Sequence, residues 1–388
     1  MTKNLTFLAK TFYGFEPLLA KELLALGARS IKEGNRMVTF EGDLGFLYKA
    51  NLALRTALKI LWPIHRFAAA SEERLYQALY RFPWENYLSA EQTFAIDSVV
   101  FGDLFTHSLY VSQKTKDALV DRFRKQTGKR PSVDPHQPDL KIHIHIYNQQ
   151  VTLSLDASGE SLHKRGYRKV TNIAPINEVL AAGMLLHSGW EGKTDFLDPM
   201  CGSGTLVIEA AMMAAQIPAN INREYFAFER WANWDPDLFE TIRNSLLKKV
   251  ISPGIQILGS DKAPSAVRKA QENVAQANLE EFVSIERQDF FQTQKPSETP
   301  LHLVTNPPYG ERLEGDIKAL YEKIGNTFKQ HYPNTQAWMI TSNLEAMKSI
   351  GLRPSRKIKL FNGKLESRLL NFPIYAGTKK IHKIPKDS

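Results

Sequence analysis

Four consecutive residues, Asn306-Pro307-Pro308-Tyr309, combine groups that can orient an amine for attack on an electrophilic methyl group. The two prolines stiffen the loop and remove two backbone N–H donors, so carbonyl oxygens are left to accept hydrogen bonds. The Asn306 amide oxygen and the Pro307 carbonyl can accept both N–H groups of an exocyclic amine, which turns its lone pair toward the methyl carbon. The Tyr309 ring can stack on a purine base, which is worth roughly 1–3 kcal/mol.

A glycine-rich corner precedes this motif in the chain. Asp198 ends a short apolar strand, and the residues that follow it are Pro199, Met200, Cys201, Gly202, Ser203, Gly204 and Thr205. Glycines in such a turn let the backbone approach a ligand closely. The dinucleotide fingerprint needs a third glycine, which is missing here. The pattern matches the corner that binds S-adenosylmethionine (SAM), where the acid and backbone amides hold the amino-acid part of the cofactor.

Two further acids lie between these motifs, each after a strand pattern. Asp261 follows Ile255–Gly259 and can accept both ribose hydroxyls of a nucleoside. Asp289 follows Val283–Arg287, and with Phe290 it can bind the adenine amine and pack on the ring. The order of the four sites along the chain predicts a single SAM pocket.

Alternating strand and helix patterns place these residues. From about residue 166 short apolar strands alternate with helices, which predicts a doubly wound, mostly parallel sheet with the motifs at strand ends. Residues 1–165 mix strands and helices without a glycine-rich loop, which predicts an α+β module. Residues 225–239 interrupt the second pattern and are interpreted as an insertion. His143 and His145 alternate with isoleucines, which predicts a structural role on one exposed strand face.

Composition limits the remaining possibilities. The chain has 388 residues and one cysteine, Cys201, which excludes an internal disulfide framework and a multi-cysteine zinc site. We expect no cysteine nucleophile, because this residue lies in the cofactor corner, and no metal, because direct methyl transfer needs none. No signal peptide is visible, and no apolar run reaches the roughly 18 residues of a membrane span. The sequence predicts a soluble cytoplasmic protein without a membrane association.

The formal net charge of +9 favours an anionic partner, and two segments concentrate it. Residues 112–130 hold seven Lys and Arg against two Asp, on a predicted helix of the first module. Residues 353–388 hold ten Lys and Arg against two acids. We interpret the first segment as a nucleic-acid contact that binds phosphates rather than reading bases. A solvated face is the simpler interpretation of the second.

With these motifs the chain resembles the THUMP-domain family of bacterial large-subunit rRNA guanine-N2 methyltransferases. The resemblance includes Arg130-Pro131-Ser132-Val133-Asp134, residues 162–168, Ala174-Pro175-Ile176-Asn177-Glu178 and Gly310-Glu311-Arg312-Leu313. It implies a ferredoxin-like start merging into a THUMP module at about 45–156, both within an RNA-binding region 1–165. A Rossmann-like class I methyltransferase domain would occupy 166–388. It also implies that SAM methylates the N2 of a guanine in structured RNA, 23S rRNA, leaving S-adenosylhomocysteine, with no obligate protein partner.

These arguments define three sets of site residues. The predicted catalytic set is Asn306, Pro307, Pro308 and Tyr309. The predicted cofactor set is Pro175, Asp198, Met200, Cys201, Gly202, Ser203, Gly204, Thr205, Asp261, Lys262, Asp289, Phe290 and Asn306. The predicted RNA set is Lys114, Arg122, Arg124, Arg130, Lys164, Arg165, Arg168 and Arg312.

Two alternatives use the same residues. Adenine-N6 DNA and glutamine-N5 protein methyltransferases can both carry Asn-Pro-Pro-Tyr, but the THUMP-like module favours structured RNA. A catalytically silent RNA-binding assembly factor is the other alternative, and such a protein could lose Asn306 or a corner glycine. This chain retains Asn306 and the corner glycines.

Overall fold

The computed structural model describes residues 4–168, 175–308 and 317–376. Its strands and helices are, in chain order, β1 (Leu5–Lys10), α1 (Glu16–Leu26), β2 (Arg29–Gly34), β3 (Met37–Gly42), α2 (Leu44–Ala53), β4 (Lys59–Ala68), α3 (Glu72–Arg81), β5 (Thr93–Phe101), α4 (Ser108–Thr127), β6 (Ser132–Val133), β7 (Leu140–Tyr147), β8 (Gln150–Asp156), α5 (Glu178–Ser188), β9 (Asp195–Asp198), α6 (Thr205–Ala214), α7 (Pro236–Leu247), β10 (Ile257–Asp261), α8 (Pro264–Gln276), β11 (Ser284–Arg287), β12 (Leu301–Thr305), α9 (Ile317–His331), β13 (Thr335–Thr341), β14 (Arg356–Asn362) and β15 (Leu365–Ile374). No helix within these described ranges is both long and apolar enough to cross a membrane.

The chain forms two compact units, and each is discontinuous in sequence. The first unit contains residues 1–11, 19–162 and 223–245. The second contains residues 12–18, 163–222 and 246–388. Two short segments therefore belong to a different unit from the chain on either side of them.

An eight-stranded sheet forms the first unit, in the order β2-β3-β1-β4-β8-β7-β5-β6. The helices α3 and α4 pack on each other, and the Tyr76 hydroxyl donates to Asp121 Oδ2 at 2.8 Å. Ser71 begins α3 as an N-cap, because its hydroxyl accepts the Arg74 N–H, while Leu75 and Leu79 point into the core. The mixture of strands and helices confirms the predicted α+β class.

The prediction of an exposed face on β7 is wrong for His143. This strand lies inside the sheet, and His143 is only 4% exposed, with its Nε2 2.8 Å from Lys10 Nζ. Burial, followed by the positive charge of Lys10, lowers the pKa of His143 to about 3. A neutral, buried imidazole fits the structural role that the sequence predicts.

The aromatic segment at residues 225–239 completes the first unit rather than the second. Tyr48 stacks on Phe228 with ring centroids 4.7 Å apart, and Trp234 and Phe239 surround the same ring. Arg223, two residues before the segment, donates to the carbonyl oxygens of residues 158, 160 and 161. The residues interpreted as an insertion therefore have a packing role.

A seven-stranded sheet forms the second unit, in the order β11-β10-β9-β12-β13-β15-β14. The strands from β11 to β13 are parallel, whereas β15 runs antiparallel between β13 and β14. From β9 the chain continues outward to β10 and β11, and it then returns to β12 on the other side of β9, so the strand order reverses between β9 and β12. In doubly wound sheets a ligand crevice lies at the carboxyl ends of the two strands at such a reversal. The predicted doubly wound sheet is confirmed. The sequence did not predict β14, because its three basic residues in seven hide the strand pattern.

Residues 12–18 are packed against α5 of the second unit. A Cβ atom on Gly183 would lie 2.0 Å from the Phe15 ring, so only glycine fits there. The Gly14 carbonyl oxygen lies 3.2 Å from His187 Nε2, which holds the segment at the last turn of the helix.

Candidate active site at the carboxyl edge of the second sheet

The strand pairing brings Asp198 and Asn306 to adjacent strand ends, as the sequence predicts. Leu197 pairs with Leu303 in a parallel register, so Asp198 ends β9 beside the end of β12. Asn306 follows β12 directly. The Thr305 hydroxyl donates to Asp198 Oδ1 at 2.9 Å and joins the two ends.

Backbone geometry shapes the glycine corner. Gly202 and Gly204 have φ values of 57° and 83°, in the left-handed region that L side chains rarely adopt. A Cβ atom on Gly204 would also lie 3.2 Å from Ala270 Cβ. Asn273 donates to the Ser203 carbonyl at 3.0 Å, so α8 fixes the turn from behind. The backbone of the corner is therefore open to a ligand, and a side chain at Gly202 or Gly204 would obstruct it.

Asp261 connects this corner to the next strand. Its Oδ2 accepts the Gly202 N–H at 3.0 Å, and its Oδ1 accepts the Ala263 N–H at 2.9 Å. The Cys201 N–H donates to the Ser260 carbonyl at 2.9 Å. Lys262 follows Asp261 directly, so it lies at the same edge. The corner residues and the end of β10 therefore form one continuous rim.

Burial controls the electrostatics of the corner. Asp198 is 2% exposed, and burial raises its pKa to about 7, although the Thr305 hydroxyl and the Met200 N–H lower it. Burial also raises the pKa of the Cys201 thiol well above its usual range, so the neutral thiol dominates. A neutral buried thiol is consistent with the expectation that this cysteine is no nucleophile.

Asp289 and Phe290 have different environments. Asp289 follows β11 and accepts the Phe291 N–H at 3.1 Å. The Phe290 ring is 3% exposed and packs 5.4 Å from Tyr332 and 5.7 Å from Phe328. The expectation that this ring packs on adenine does not fit its placement, because the ring belongs to the hydrophobic core.

The amide of Asn306 has an unused acceptor. Its Oδ1 is buried and has no hydrogen-bond partner among the residues that the structure describes. A buried acceptor without a donor is unfavourable by about 1–3 kcal/mol, and such groups mark places where a ligand supplies the donor. Pro307 is buried and Pro308 is exposed. Tyr309 and Arg312 lie outside the described residues.

Two arginines of the predicted RNA set bind polar side chains inside the second unit instead of facing solvent. Arg165 is fully buried, and it donates to Glu209 at 3.2 Å and to Asn220 at 3.1 Å. Arg168 donates to the Thr205 hydroxyl at 2.5 Å and pairs with Glu178 at 3.3 Å. The prediction that these two side chains contact phosphates is wrong, because their charges are already bound by buried partners. Lys164 is exposed, and Pro175 is half-buried just before α5 begins.

The predicted phosphate contacts on α4 and just after it also fall into two groups, one held by a carboxylate and the other lining a surface cleft. Arg122 is tied to both carboxylate oxygens of Glu85, at 2.9 and 2.5 Å, so it acts as a structural clamp and not as a phosphate contact. Lys114, Arg124 and Arg130 line a common surface cleft of about 690 Å³. Lys114 Nζ lies 5.8 Å from the Tyr76 ring centre and 5.6 Å from that of Tyr110. We refer to Lys114, Arg124 and Arg130 as the basic cleft.

The edge of the second sheet brings together groups suited to SAM and to an amine substrate. Open glycine backbone, a carboxylate at the end of β10 and an unfilled amide acceptor are all present at one sheet edge. Within the described ranges no group of three or more His, Cys, Asp or Glu side chains is placed to hold a metal ion. Sequence analysis missed Thr305, because a β-branched residue at a strand end looks like ordinary strand.

The sheet order, the glycine corner and the Asn-Pro-Pro loop together define a class I SAM-dependent methyltransferase. Residues 165–371 match the RMKL-like methyltransferase domain, and the chain belongs to this family. Residues 69–156 match the THUMP domain, and residues 6–61 match the RlmL ferredoxin-like domain. The resemblance that the sequence motifs indicate is thereby confirmed.

Relatives and solved structures agree with this assignment. The chain is 39% identical to ribosomal RNA large subunit methyltransferase K/L of Syntrophotalea carbinolica over 96% of this chain and 54% of the relative. It is 40% identical to the protein of the same name in Cellvibrio japonicus, over 93% of this chain and 50% of that protein. The chain thus spans about half the length of these relatives. A putative methyltransferase solved with S-adenosylhomocysteine shares 31% identity and a TM-score of 0.86, covering 97% of this chain and all of that one.

Proposed function

We propose that this chain transfers the methyl group of SAM to the exocyclic N2 of a guanine in structured RNA, with 23S rRNA as the substrate. The observation that carries the proposal is the buried Asn306 Oδ1, which lacks a donor among the described residues. An exocyclic amine has two N–H groups, and Asn306 Oδ1 with the Pro307 carbonyl would accept them. The names of the K/L relatives support rRNA, and the THUMP match supports an RNA substrate.

The residues would act mainly by orientation. SAM supplies an electrophilic methyl group on a sulfonium sulfur, and Gly202, Gly204 and Asp261 are the residues placed to hold it. The target base must leave its stack to enter the crevice. The lone pair of the guanine amine is delocalised into the ring, so alignment by Asn306 and Pro307 is where the protein contributes most.

The chemistry balances without a metal. A bond forms between guanine N2 and the methyl carbon while the sulfur–carbon bond breaks, and S-adenosylhomocysteine leaves as a neutral thioether. The proton of the methylated amine passes to solvent after transfer. No general base is therefore needed at the Asn-Pro-Pro loop.

RNA affinity would come from elsewhere in the chain. We propose that the basic cleft of the first unit, with Lys164, contacts phosphates of the RNA and determines which guanine arrives. Three of these side chains, Arg124, Arg130 and Lys164, are exposed, as phosphate contacts require. Such contacts position the RNA without reading its sequence.

One experiment tests the proposal directly. The full chain is incubated with SAM carrying a labelled methyl group and protein-free large-subunit rRNA, and digested nucleosides are analysed by mass spectrometry. We expect N2-methylguanosine at one site, and the same modification missing from rRNA of a deletion strain. N6-methyladenosine as the product would favour the adenine-N6 alternative. RNA binding without any methylated product would favour the silent assembly factor.

The variant Asn306→Ala separates catalysis from binding. It should abolish methyl transfer while the affinities for RNA and S-adenosylhomocysteine stay near those of the unchanged chain. Equal loss of RNA binding would show that the amide serves the fold rather than the reaction.

A further inference from the structure

The β14–β15 hairpin extends well past the level of the active site. Thr305 pairs with Met339, which pairs with Leu370, which pairs with Lys357, so these four residues lie at one level of the sheet. From Lys357, β14 continues for five residues to Asn362, which is about 16 Å at 3.3 Å per residue. The hairpin turn therefore projects beyond the edge where Asn306 lies.

The distance across the sheet from the end of β12 to the hairpin is also short. β13 and β15 separate β12 from β14, so three strand spacings of roughly 4.8 Å place the hairpin about 14 Å from the end of β12. The hairpin therefore lies within reach of the nucleotides that flank a base inserted beside Asn306.

An exposed tyrosine is held rigidly against the hairpin. The Tyr13 ring packs edge-on against Phe361 with ring centroids 5.8 Å apart, and 45% of the residue is exposed. Gly14 approaches the Lys359 carbonyl, and Phe15 anchors the segment against Gly183. These contacts pack the residues around Tyr13 against the hairpin and α5, so we expect a small ordering cost when a base stacks on its ring.

The basic side chains near the hairpin turn differ in whether they form ion pairs. The Glu366 carboxylate pairs with both Lys359, at 2.6 Å, and Arg368, at 2.7 Å. Lys364, at the turn, is exposed and forms no ion pair within the described part of the chain. An exposed aromatic ring and an exposed lysine on one hairpin match an unpaired nucleotide, which offers a base to stack and a phosphate to neutralise.

We infer that Tyr13 and Lys364 form a second RNA contact, in which Tyr13 stacks on an unpaired nucleotide near the target guanine and Lys364 contacts its phosphate. This inference rests on the proposed function. It adds specificity for RNA in which the target guanine has an unpaired neighbour. The basic cleft, by contrast, binds phosphates without regard to pairing at the target.

The test compares matched variants of the full chain on protein-free large-subunit rRNA. Tyr13→Ala should raise the KM for RNA about tenfold, as expected when one base no longer stacks, with kcat at saturating RNA within about twofold. Tyr13→Phe keeps the ring and should restore the KM. Lys364→Glu should weaken RNA binding and reduce the salt slope of affinity by about one unit. Binding of S-adenosylhomocysteine should not change in any of them.

Two exposed residues serve as controls. Tyr147→Ala removes an exposed tyrosine of β7, and Lys248→Glu reverses an exposed lysine just after α7. If Tyr13→Ala and Lys364→Glu match these controls while the unchanged chain methylates guanine, the second contact is absent and the proposed function stands. If the variants fail only on assembling particles, the surface binds protein and the inference is wrong. If the unchanged chain methylates no guanine, the proposed function itself fails.

Discussion

The hydroxyl of Thr305 donates a hydrogen bond of 2.9 Å to Oδ1 of Asp198. It joins the residue before the Asn-Pro-Pro loop to the acid that begins the glycine corner. Both side chains are buried, with 0% and 2% exposure, so water cannot replace the bond. The hydroxyl therefore adds a side-chain link to the strand pairing that places the cofactor corner beside the amine-orienting loop.

Replacing Thr305 with valine should loosen this connection. The isosteric variant removes the donor and leaves a buried carboxyl oxygen with the Met200 N–H alone among the groups described here, at a cost of about 1–3 kcal/mol. We expect kcat to fall more than the affinity for S-adenosylhomocysteine, because Asn306 loses its position. Steady-state kinetics and calorimetry measure the two effects, and Thr305→Ser should recover both. Full activity in Thr305→Val would refute the positioning role.

The buried carboxyl of Asp198 makes stability depend on pH in an unusual direction. Burial raises its pKa in the folded chain to about 7, above the value of about 4 for an unfolded aspartate. Between these values the folded chain retains a proton that the unfolded chain has lost. The stability contributed by this carboxyl is therefore full below about pH 4 and is lost as the pH rises through about 7.

Asp198→Asn should remove that dependence. Denaturant unfolding at about pH 5 and about pH 8 should show the variant gaining stability relative to the unchanged chain as the pH rises. Glu272→Gln, an exposed carboxylate on α8, is the matched control and should show no such trend. A constant difference between the two chains at both pH values would mean that Asp198 is ionised throughout.

Arg165 should matter for folding and not for RNA affinity. Arg165→Met leaves the buried Glu209 carboxylate without its main partner and should destabilise the second unit by about 3–5 kcal/mol. Adding Glu209→Leu removes the uncompensated charge and should recover much of that stability. Thermal unfolding checks both steps, and a salt slope of RNA binding equal to that of the unchanged chain would complete the test.

Charge removal in the basic cleft should have the opposite effect. Alanine at Lys114, Arg124 or Arg130 should leave stability nearly unchanged and reduce the salt slope of RNA binding by about one unit for each phosphate that the variant no longer neutralises. Arg122→Gln should lower stability without changing the slope, because its charge is bound by Glu85. Unchanged RNA binding and methylation in all three alanine variants would show that the cleft does not hold RNA.

A methyl group on Gly183 should separate Phe15 from α5. Gly183→Ala places a Cβ atom 2.0 Å from the Phe15 ring and should destabilise the protein by about 1–3 kcal/mol. Phe15→Leu in the same chain should relieve part of the clash. Additive effects of the two substitutions in denaturant unfolding would contradict this packing.

The sequence predicted the parts of this molecule that depend on local pattern. Strand–helix alternation predicted the doubly wound sheet, and chemistry at strand ends predicted that Asp198 and Asn306 would be neighbours. It failed for Arg165, because the residue types in the segment 162–168 do not reveal which guanidinium has a buried carboxylate partner elsewhere in the chain. It also failed for β14, where basic residues on an edge strand conceal the alternation. Long-range packing decided both cases, and neither leaves a local signal.

Residues 12–18 belong to the second unit, although the chain on both sides of them belongs to the first. Residues 223–245 belong to the first unit, although the chain on both sides of them belongs to the second. A single cut in the gene between the RNA-binding and methyltransferase regions would therefore leave Phe15 on one product and its Gly183 partner on the other. Recombination at such a boundary would yield two incomplete proteins. Each unit therefore depends on a segment that lies across the boundary in the sequence, and two separately expressed halves should fold less well than the continuous chain.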